Sequence, residues 1–189
     1  MREIREIMSD ISDEIVSIKE IGIKLTAEEN GTTFEENALI KARDAASMIK
    51  DPDTVVMADD SGLEIDALGG EPGVYSARYM GEDTSYRIKN AELIRRLENV
   101  PVPERTARFR CCIAAVLPDG REFTADGAIE GKIGYEERGE NGFGYDPIFY
   151  LPDMSCSTAE LSPEAKNAVS HRGTALRRMR EILSNERER

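Results

Sequence analysis

The stretch Thr54-Val55-Val56-Met57-Ala58-Asp59-Asp60-Ser61-Gly62 constrains the fold more than any other part of the chain. A β-branched apolar run reads as a buried strand, and here it runs into two adjacent carboxylates, a small hydroxyl residue and a glycine. The expectation is a strand whose end carries charge. In open α/β sheets, ligands bind outside the carboxyl ends of strands. Aspartates at such a position can hold a hard divalent cation and take a proton from water. Asp-Asp-Ser-Gly is also good turn chemistry, so the stretch by itself leaves a plain turn open.

At 189 residues the chain is expected to form a single domain, 1–189, large enough to bury a core. With 25 Lys and Arg against 37 Asp and Glu, the formal charge of -12 opposes non-specific binding to nucleic acid or to an anionic membrane. A polyanionic substrate would then need a metal ion to offset the repulsion. No apolar run reaches the ~20 residues of a membrane span, and no signal peptide is recognisable. The expectation is a cytoplasmic protein with neither nucleic-acid nor membrane partners. Cys111, Cys112 and Cys156 lack zinc-type spacing and read as reduced packing residues.

Periodicity places a helix at Met1 to Ser9, a strand at Glu14 to Ile18, and a polar loop, Thr26 to Thr32, that contains Glu29. Thr33 and Glu36 match a capping box opening a helix that runs to about Ile49, with Phe34, Ala38, Ala42, Ala45 and Ile49 on one face. On that helix Glu36 and Lys41 are functional candidates, or else a cap and a solvated lysine. Glu29 precedes a helix N-terminus, where metal and phosphate can both be held, or it is a plain surface carboxylate. Leu63 to Leu68 reads as a second strand. Thr84 to Leu97 reads as an amphipathic helix with Ile88, Leu93, Ile94 and Leu97 inward.

Arg105 to Leu117 and Glu122 to Ile129 form a predicted hairpin about Pro118-Asp119-Gly120-Arg121. In Gly142-Phe143-Gly144 two glycines flank an aromatic ring, which can then stand clear of its backbone and stack on a base for about 1–3 kcal/mol. A buried ring is the alternative. Ser162-Pro163 starts a short helix bearing Lys166. His171 and Arg172 open the last helix at an end that favours anions, and such local conflicts cluster at functional sites. No Gly-x-x-x-x-Gly-Lys loop occurs, which argues against a P-loop NTPase.

Five segments occur together in order: Phe34-x-Glu36-Asn37-Ala38-x-x-Lys41-Ala42, Ala58-Asp59-Asp60-Ser61-Gly62-Leu63, Leu68-Gly69-Gly70-x-Pro72-Gly73-Val74-Tyr75-Ser76-Ala77-Arg78, Gly142-Phe143-Gly144-Tyr145-Asp146-Pro147 and Ser170-His171-Arg172-Gly173. The set resembles the inosine triphosphate pyrophosphatase family, the Ham1-like dITP/XTP pyrophosphatases. The resemblance implies an α/β fold with an elongated mixed β-sheet flanked by helices, two lobes with a central cleft, and a homodimer. It implies Mg²⁺-dependent cleavage of non-canonical purine nucleoside triphosphates (ITP, dITP, XTP) to the monophosphate and pyrophosphate, which cleanses the nucleotide pool.

Carried over by position, Asp60 matches the general base and, with Glu29, the metal ligands. Ser61 matches a substrate contact. Phe143, Gly144, Tyr145 and Asp146 match the base-binding segment, and Lys166, His171 and Arg172 match the groups that read the 6-oxo edge. Glu36 and Lys41 match residues on the phosphate side. Members of the family begin with a strand ending in a Thr/Ser-x-Asn-x-x-Lys phosphate loop, and this chain starts just after it. The resemblance therefore implies a form that is destabilised and weakly active. Two alternatives stand beside the main reading: a Maf-like nucleotide pyrophosphatase of different base preference, and a nucleotide-binding protein without turnover. Ser170-His171-Arg172-Gly173 argues against the first. Asp59-Asp60 also lacks the Asp-x-Asp spacing of haloacid-dehalogenase phosphatases.

Overall fold

The computed structural model describes residues 1–12, 14–49 and 51–187. Its elements run α1 (Arg2–Ile7), α2 (Phe34–Met48), β1 (Val56–Ile65), α3 (Tyr86–Arg96), β2 (Thr106–Val116), β3 (Glu122–Ile133), β4 (Phe149–Tyr150), α4 (Pro163–Val169) and α5 (His171–Arg187). The strands form one sheet in the order β1-β2-β3-β4, with β3 and β4 antiparallel. The predicted hairpin joins β2 to β3, closed by Leu117 N–H donating to Arg121 O at 2.9 Å. The chain divides into two compact units: Met1–Ser61, Cys111–Gly127 and His171–Arg189, and then Gly62–Arg110 and Ala128–Ser170.

In the first unit, side-chain alternation along the strands separates two layers. Cys111, Ile113 and Ala115 of β2, Leu117 just after it and Ala125 of β3 pack with Met8, Ala175, Leu176, Met179 and Leu183, and Met57 of β1 joins them. This is the α1 and α5 side. α2 lies on the other side, tied to β3 by Arg43–Glu122 pairing at 2.7 Å and by Thr124 Oγ1 donating to Glu35 at 3.1 Å. Its apolar stripe, Phe34, Ala38, Ala42 and Ala45, is buried.

The second unit has its own core of Leu63, Ile65, Leu93, Leu97, Ala107, Phe109, Ile133, Tyr145, Ile148 and Phe149. Arg105, 0% exposed, caps it: its guanidinium donates to the carbonyls of Ile133, Leu97 and Gly134 at 2.8, 2.6 and 2.6 Å. Burial holds the arginine below its ordinary pKa, against the opposing effect of Tyr135, over whose ring it lies.

Three expectations are corrected here. Glu14 to Ile18 is not a strand. The alternation does send Ile15 against the first core, but the Ile15 carbonyl accepts from Arg5 Nε and the Ile18 carbonyl from Ile23 N–H, so neither serves a ladder. Asp59 and Asp60 do not end a strand: β1 continues through Ser61 and Gly62 to Ile65, absorbing much of the second strand expected at Leu63 to Leu68. Non-local pairing with β2 outweighs the local turn preference, and Glu71 O and Ser76 Oγ accept from Ile65 and Leu63 N–H on the outer edge of β1. On α3, Ile88 is 54% exposed, whereas Lys89 and Asn90 are buried. The buried face follows the 89, 93, 97 row, and Ile88 lies off it.

Candidate active site

The acidic cluster of the first unit is built on one face of α2. Thr33 caps the helix as expected, its hydroxyl accepting from Glu36 N–H, while Glu36 accepts from the N–H groups of Thr32 and Thr33. Glu36 is thereby occupied as a capping carboxylate, and the Thr32 N–H holds it below its ordinary pKa. Asn37, Lys41 and Asp44 follow at helical spacing and fasten the loop that precedes the helix. Asp44 accepts from Thr26 and Ala27 N–H at 2.6 and 3.0 Å, and Asn37 Oδ1 accepts from Gly31 N–H at 2.9 Å. Glu29 is thus carried to Lys41.

Lys41 Nζ lies 3.0 Å from Glu29 Oε2 and 2.7 Å from Asp60 Oδ1, and Asn37 Nδ2 donates to the other Asp60 oxygen at 3.3 Å. Burial opposes the charge on Lys41, but Asp60 and Glu29 together outweigh it and raise the lysine pKa. For Asp60, burial is the largest influence and lifts the carboxyl above its ordinary pKa despite Lys41 and Asn37. Two carboxylate oxygens therefore converge on one cationic point.

That geometry fits a divalent metal. Mg²⁺ is commonly held by one or two carboxylates, with water and substrate phosphates completing its octahedron. Here the Lys41 ammonium stands where two hard oxygen donors meet. Among the described residues no group of three or more His, Cys, Asp or Glu side chains gathers to hold an ion alone. Glu29 and Asp60 can supply two ligands and leave the rest to substrate and solvent.

Asp59 faces the other way, as its place next to Asp60 in a strand requires. Its Oδ2 accepts from Arg172 at 2.6 Å and from Ser61 Oγ at 3.3 Å. Burial opposes the Arg172 charge, and Asp59 outweighs it, leaving the arginine pKa raised. Arg172 Nε is buried without a partner among the described residues. His171, half-buried, is the first residue of α5.

Phe143 to Asp146 form a second cluster with Lys166, in the second unit. Phe143 is 72% exposed, so its ring stands clear of the backbone. Asp146 is buried and accepts from Phe143 N–H at 2.8 Å, from Thr158 Oγ1 at 2.9 Å and from Lys166 Nζ. Lys166, on α4, also sits 5.0 Å above the Phe143 ring. Tyr145 is buried, its hydroxyl donating to Ser76 O at 2.8 Å. Gly142 is needed where it stands: φ is +78°, and a Cβ there would meet Asp146 Oδ2 at 2.3 Å.

The sequence candidates thus assemble as three groups: Glu29, Lys41 and Asp60; Ser61 and Arg172 through Asp59; and Phe143, Asp146 and Lys166. Sequence reasoning missed Asn37 and Asp44, which share helical spacing with Lys41, and Asn90, whose burial nothing local announces.

A model of the Ham1 family matches residues 1–182. A dITP/XTP pyrophosphatase of Desulforamulus reducens is 48% identical over 184 residues, covering 97% of this chain and 90% of that protein. Another, of Bacillus subtilis, is 44% identical over 183 residues, covering 97% and 91%. Among solved structures, the Ham1 protein of Staphylococcus aureus aligns with a TM-score of 0.86 at 40% identity, covering 98% of this chain and 95% of that one. A HAM1 protein of Coxiella burnetii gives 0.87 at 40%, covering 97% and 92%. With the family model spanning almost every residue and such relatives aligned along its length, this chain belongs to the Ham1 family.

Proposed function

We propose that this chain hydrolyses the non-canonical purine nucleoside triphosphates ITP, dITP and XTP to the monophosphate and pyrophosphate, clearing deaminated purines from the nucleotide pool. The observation that carries the reading is the bridge from Lys41 to Glu29 and Asp60: a cationic point between two carboxylates, in a chain 48% identical to a dITP/XTP pyrophosphatase. We assign the triphosphate to this cluster; the family resemblance assigns the purine to Phe143 and its loop.

Phosphoryl transfer asks a protein mainly for positioning and charge neutralisation. Asp60, with its pKa lifted by burial, is suited to take the proton of the water attacking the α-phosphorus. Lys41 and Asn37 fix its orientation, and Lys41 offers its charge to phosphate oxygens. Mg²⁺, when held by Glu29 and Asp60, supplies the neutralisation that a chain of net charge -12 otherwise lacks. The exposed Phe143 ring offers a stacking face, with Lys166 above it. Ser61, His171 and Arg172 are assigned to substrate contact, and Gly144, Tyr145 and Asp146 to the base segment. Donors facing position 6 pair with the carbonyl of hypoxanthine or xanthine and are left unpaired by adenine, at about 1–3 kcal/mol each. Glu36 serves the phosphate side by fixing the start of α2. The family resemblance supports a homodimer.

The test is pyrophosphate release from dITP, XTP, GTP and dUTP, with and without Mg²⁺. Metal-dependent turnover that favours dITP and XTP is expected. A preference for dUTP, or no release from any of the four, would overturn the assignment.

A further inference from the structure

We propose that Asn90 is a positioning residue that sets base selectivity by fixing the direction of the Gly144–Tyr145 peptide; this rests on Phe143 to Asp146 being the base segment. α3 has an odd inward face. It carries Leu93, with Leu97 just past the end of the helix, but also Asn90, 1% exposed, where an unpaired amide would be costly. Asn90 Nδ2 donates to Glu137 Oε1 at 2.8 Å and to Gly144 O at 3.3 Å, while Oδ1 is buried with no partner among the described residues. The amide is placed for its donors. Rotated by half a turn, it would set an oxygen against a carboxylate and a carbonyl.

The rest of the segment is clamped. Tyr145 is fixed by its hydroxyl on Ser76 O and by Tyr86, which meets its ring edge-on at 5.2 Å. Asp146 is fixed by Thr158, Lys166 and the Phe143 N–H. The side chains of Tyr145 and Asp146 are buried. What they leave for a ligand is the Phe143 ring and the main chain beside it. Gly144, at φ +69°, lacks the Cβ that would restrict rotation of the following peptide.

In a trans peptide the carbonyl and the N–H point in opposite directions. With Gly144 O drawn inward by Asn90, the Tyr145 N–H points away from Asn90. A ligand edge meeting that side finds a donor, which matches the acceptor at position 6 of hypoxanthine or xanthine. Were the peptide to turn over, the same place would show a carbonyl, which matches the amino group of adenine. Asn90 thereby chooses between the two without touching the base.

The test compares kcat and KM for dITP and dATP in wild type, Asn90→Ala, Asn90→Asp and the milder Glu137→Gln, each with a thermal melt. In both Asn90 variants KM for dITP is expected to rise about tenfold with kcat nearly unchanged, and the dITP-to-dATP ratio of kcat/KM to fall by about tenfold or more. Glu137→Gln keeps an acceptor for the amide and is expected to move the ratio the same way by less. If folded Asn90 variants keep the wild-type ratio, whatever their melting temperature, the proposal is overturned. If neither Asn90 variant folds, an unchanged ratio in Glu137→Gln overturns it. Phe143→Ala separates the underlying reading: stacking tolerates any base, so its KM should rise alike for dITP and dATP. No rise would sink the base-segment assignment itself.

Discussion

Asp59 and Asp60 are consecutive residues of β1, and their carboxylates pair with different cations on opposite faces of the strand: Asp59 with Arg172 at 2.6 Å, Asp60 with Lys41 at 2.7 Å. They are therefore not an acid–base dyad sharing a proton. One anchors an arginine from α5, and the other sits in the two-carboxylate cluster beside α2.

The two substitutions should part accordingly. Asp60→Asn is expected to lower kcat for dITP by about 10²- to 10⁴-fold, the usual contribution of a general base. Asp59→Asn should leave kcat nearly intact and raise KM, because it loosens Arg172. Steady-state kinetics of both variants decide the matter; equal kcat losses would restore the dyad.

Lys41→Met removes the shared cation and leaves Glu29 and Asp60 facing each other. Both members of the Lys41–Asp60 pair are largely buried, so a loss of about 3 kcal/mol is expected in metal-free buffer. A divalent ion can take the vacated charge. Mg²⁺ at about 100 times its Kd stabilises by about 2.7 kcal/mol, so thermal melts with and without Mg²⁺ should show a larger rise in the variant than in wild type.

What was legible in the sequence was whatever is decided within a few residues. The Thr33 and Glu36 capping box and the Ser162-Pro163 helix start formed as read, and of the two readings the sequence left open for Phe143, a ring clear of its backbone or a buried one, the first holds. What escaped depends on a distant partner. Whether Asp59 and Asp60 end a strand or lie inside one is settled by β2, some fifty residues on. The periodic pattern of α3 admitted two faces, and only the loop at Gly144 and the Ala77 carbonyl, which accepts from Lys89 Nζ at 2.6 Å, explain why Lys89 and Asn90 turned inward instead of Ile88.

Gly127 lies in β3, where a Cβ would come within 2.0 Å of His171 O and 2.6 Å of Ala175 N, both main-chain atoms of α5. Gly127→Ala must push the first turn of that helix outward. A loss of about 1–3 kcal/mol is expected from such overpacking, together with a raised KM for dITP, since His171 and Arg172 ride on that turn. Denaturant unfolding and kinetics on one preparation check both.

Arg105 spends its guanidinium on three main-chain carbonyls in a site where it is wholly buried. Arg105→Lys keeps the charge but cannot span three acceptors with the same geometry. At least one buried carbonyl loses its donor, so a loss of about 2 kcal/mol or more is expected in urea unfolding. Arg105→Met removes every donor and should cost more still. If the lysine variant matched wild type, the arginine would be a passive filler.

Cys111 and Cys112 are fully buried, and burial lifts both thiols to about 12, with the charge of Asp59 adding to the effect at Cys111 and that of Asp126 at Cys112. Their folded pKa values thus lie above the unfolded value of about 8.5. The stability they contribute is complete below that pH and is lost as the pH rises toward 12, because the unfolded chain then releases protons that the folded chain retains. Each thiol contributes a slope of about 1.4 kcal/mol per pH unit across that window. Native protein should therefore leave Cys111 and Cys112 unmodified by a thiol reagent at pH 8, and stability should fall between pH 9 and about 11. The Cys111→Ala, Cys112→Ala double variant should fall less steeply over the same range, a difference that other alkaline titrations cannot produce because they are common to both proteins.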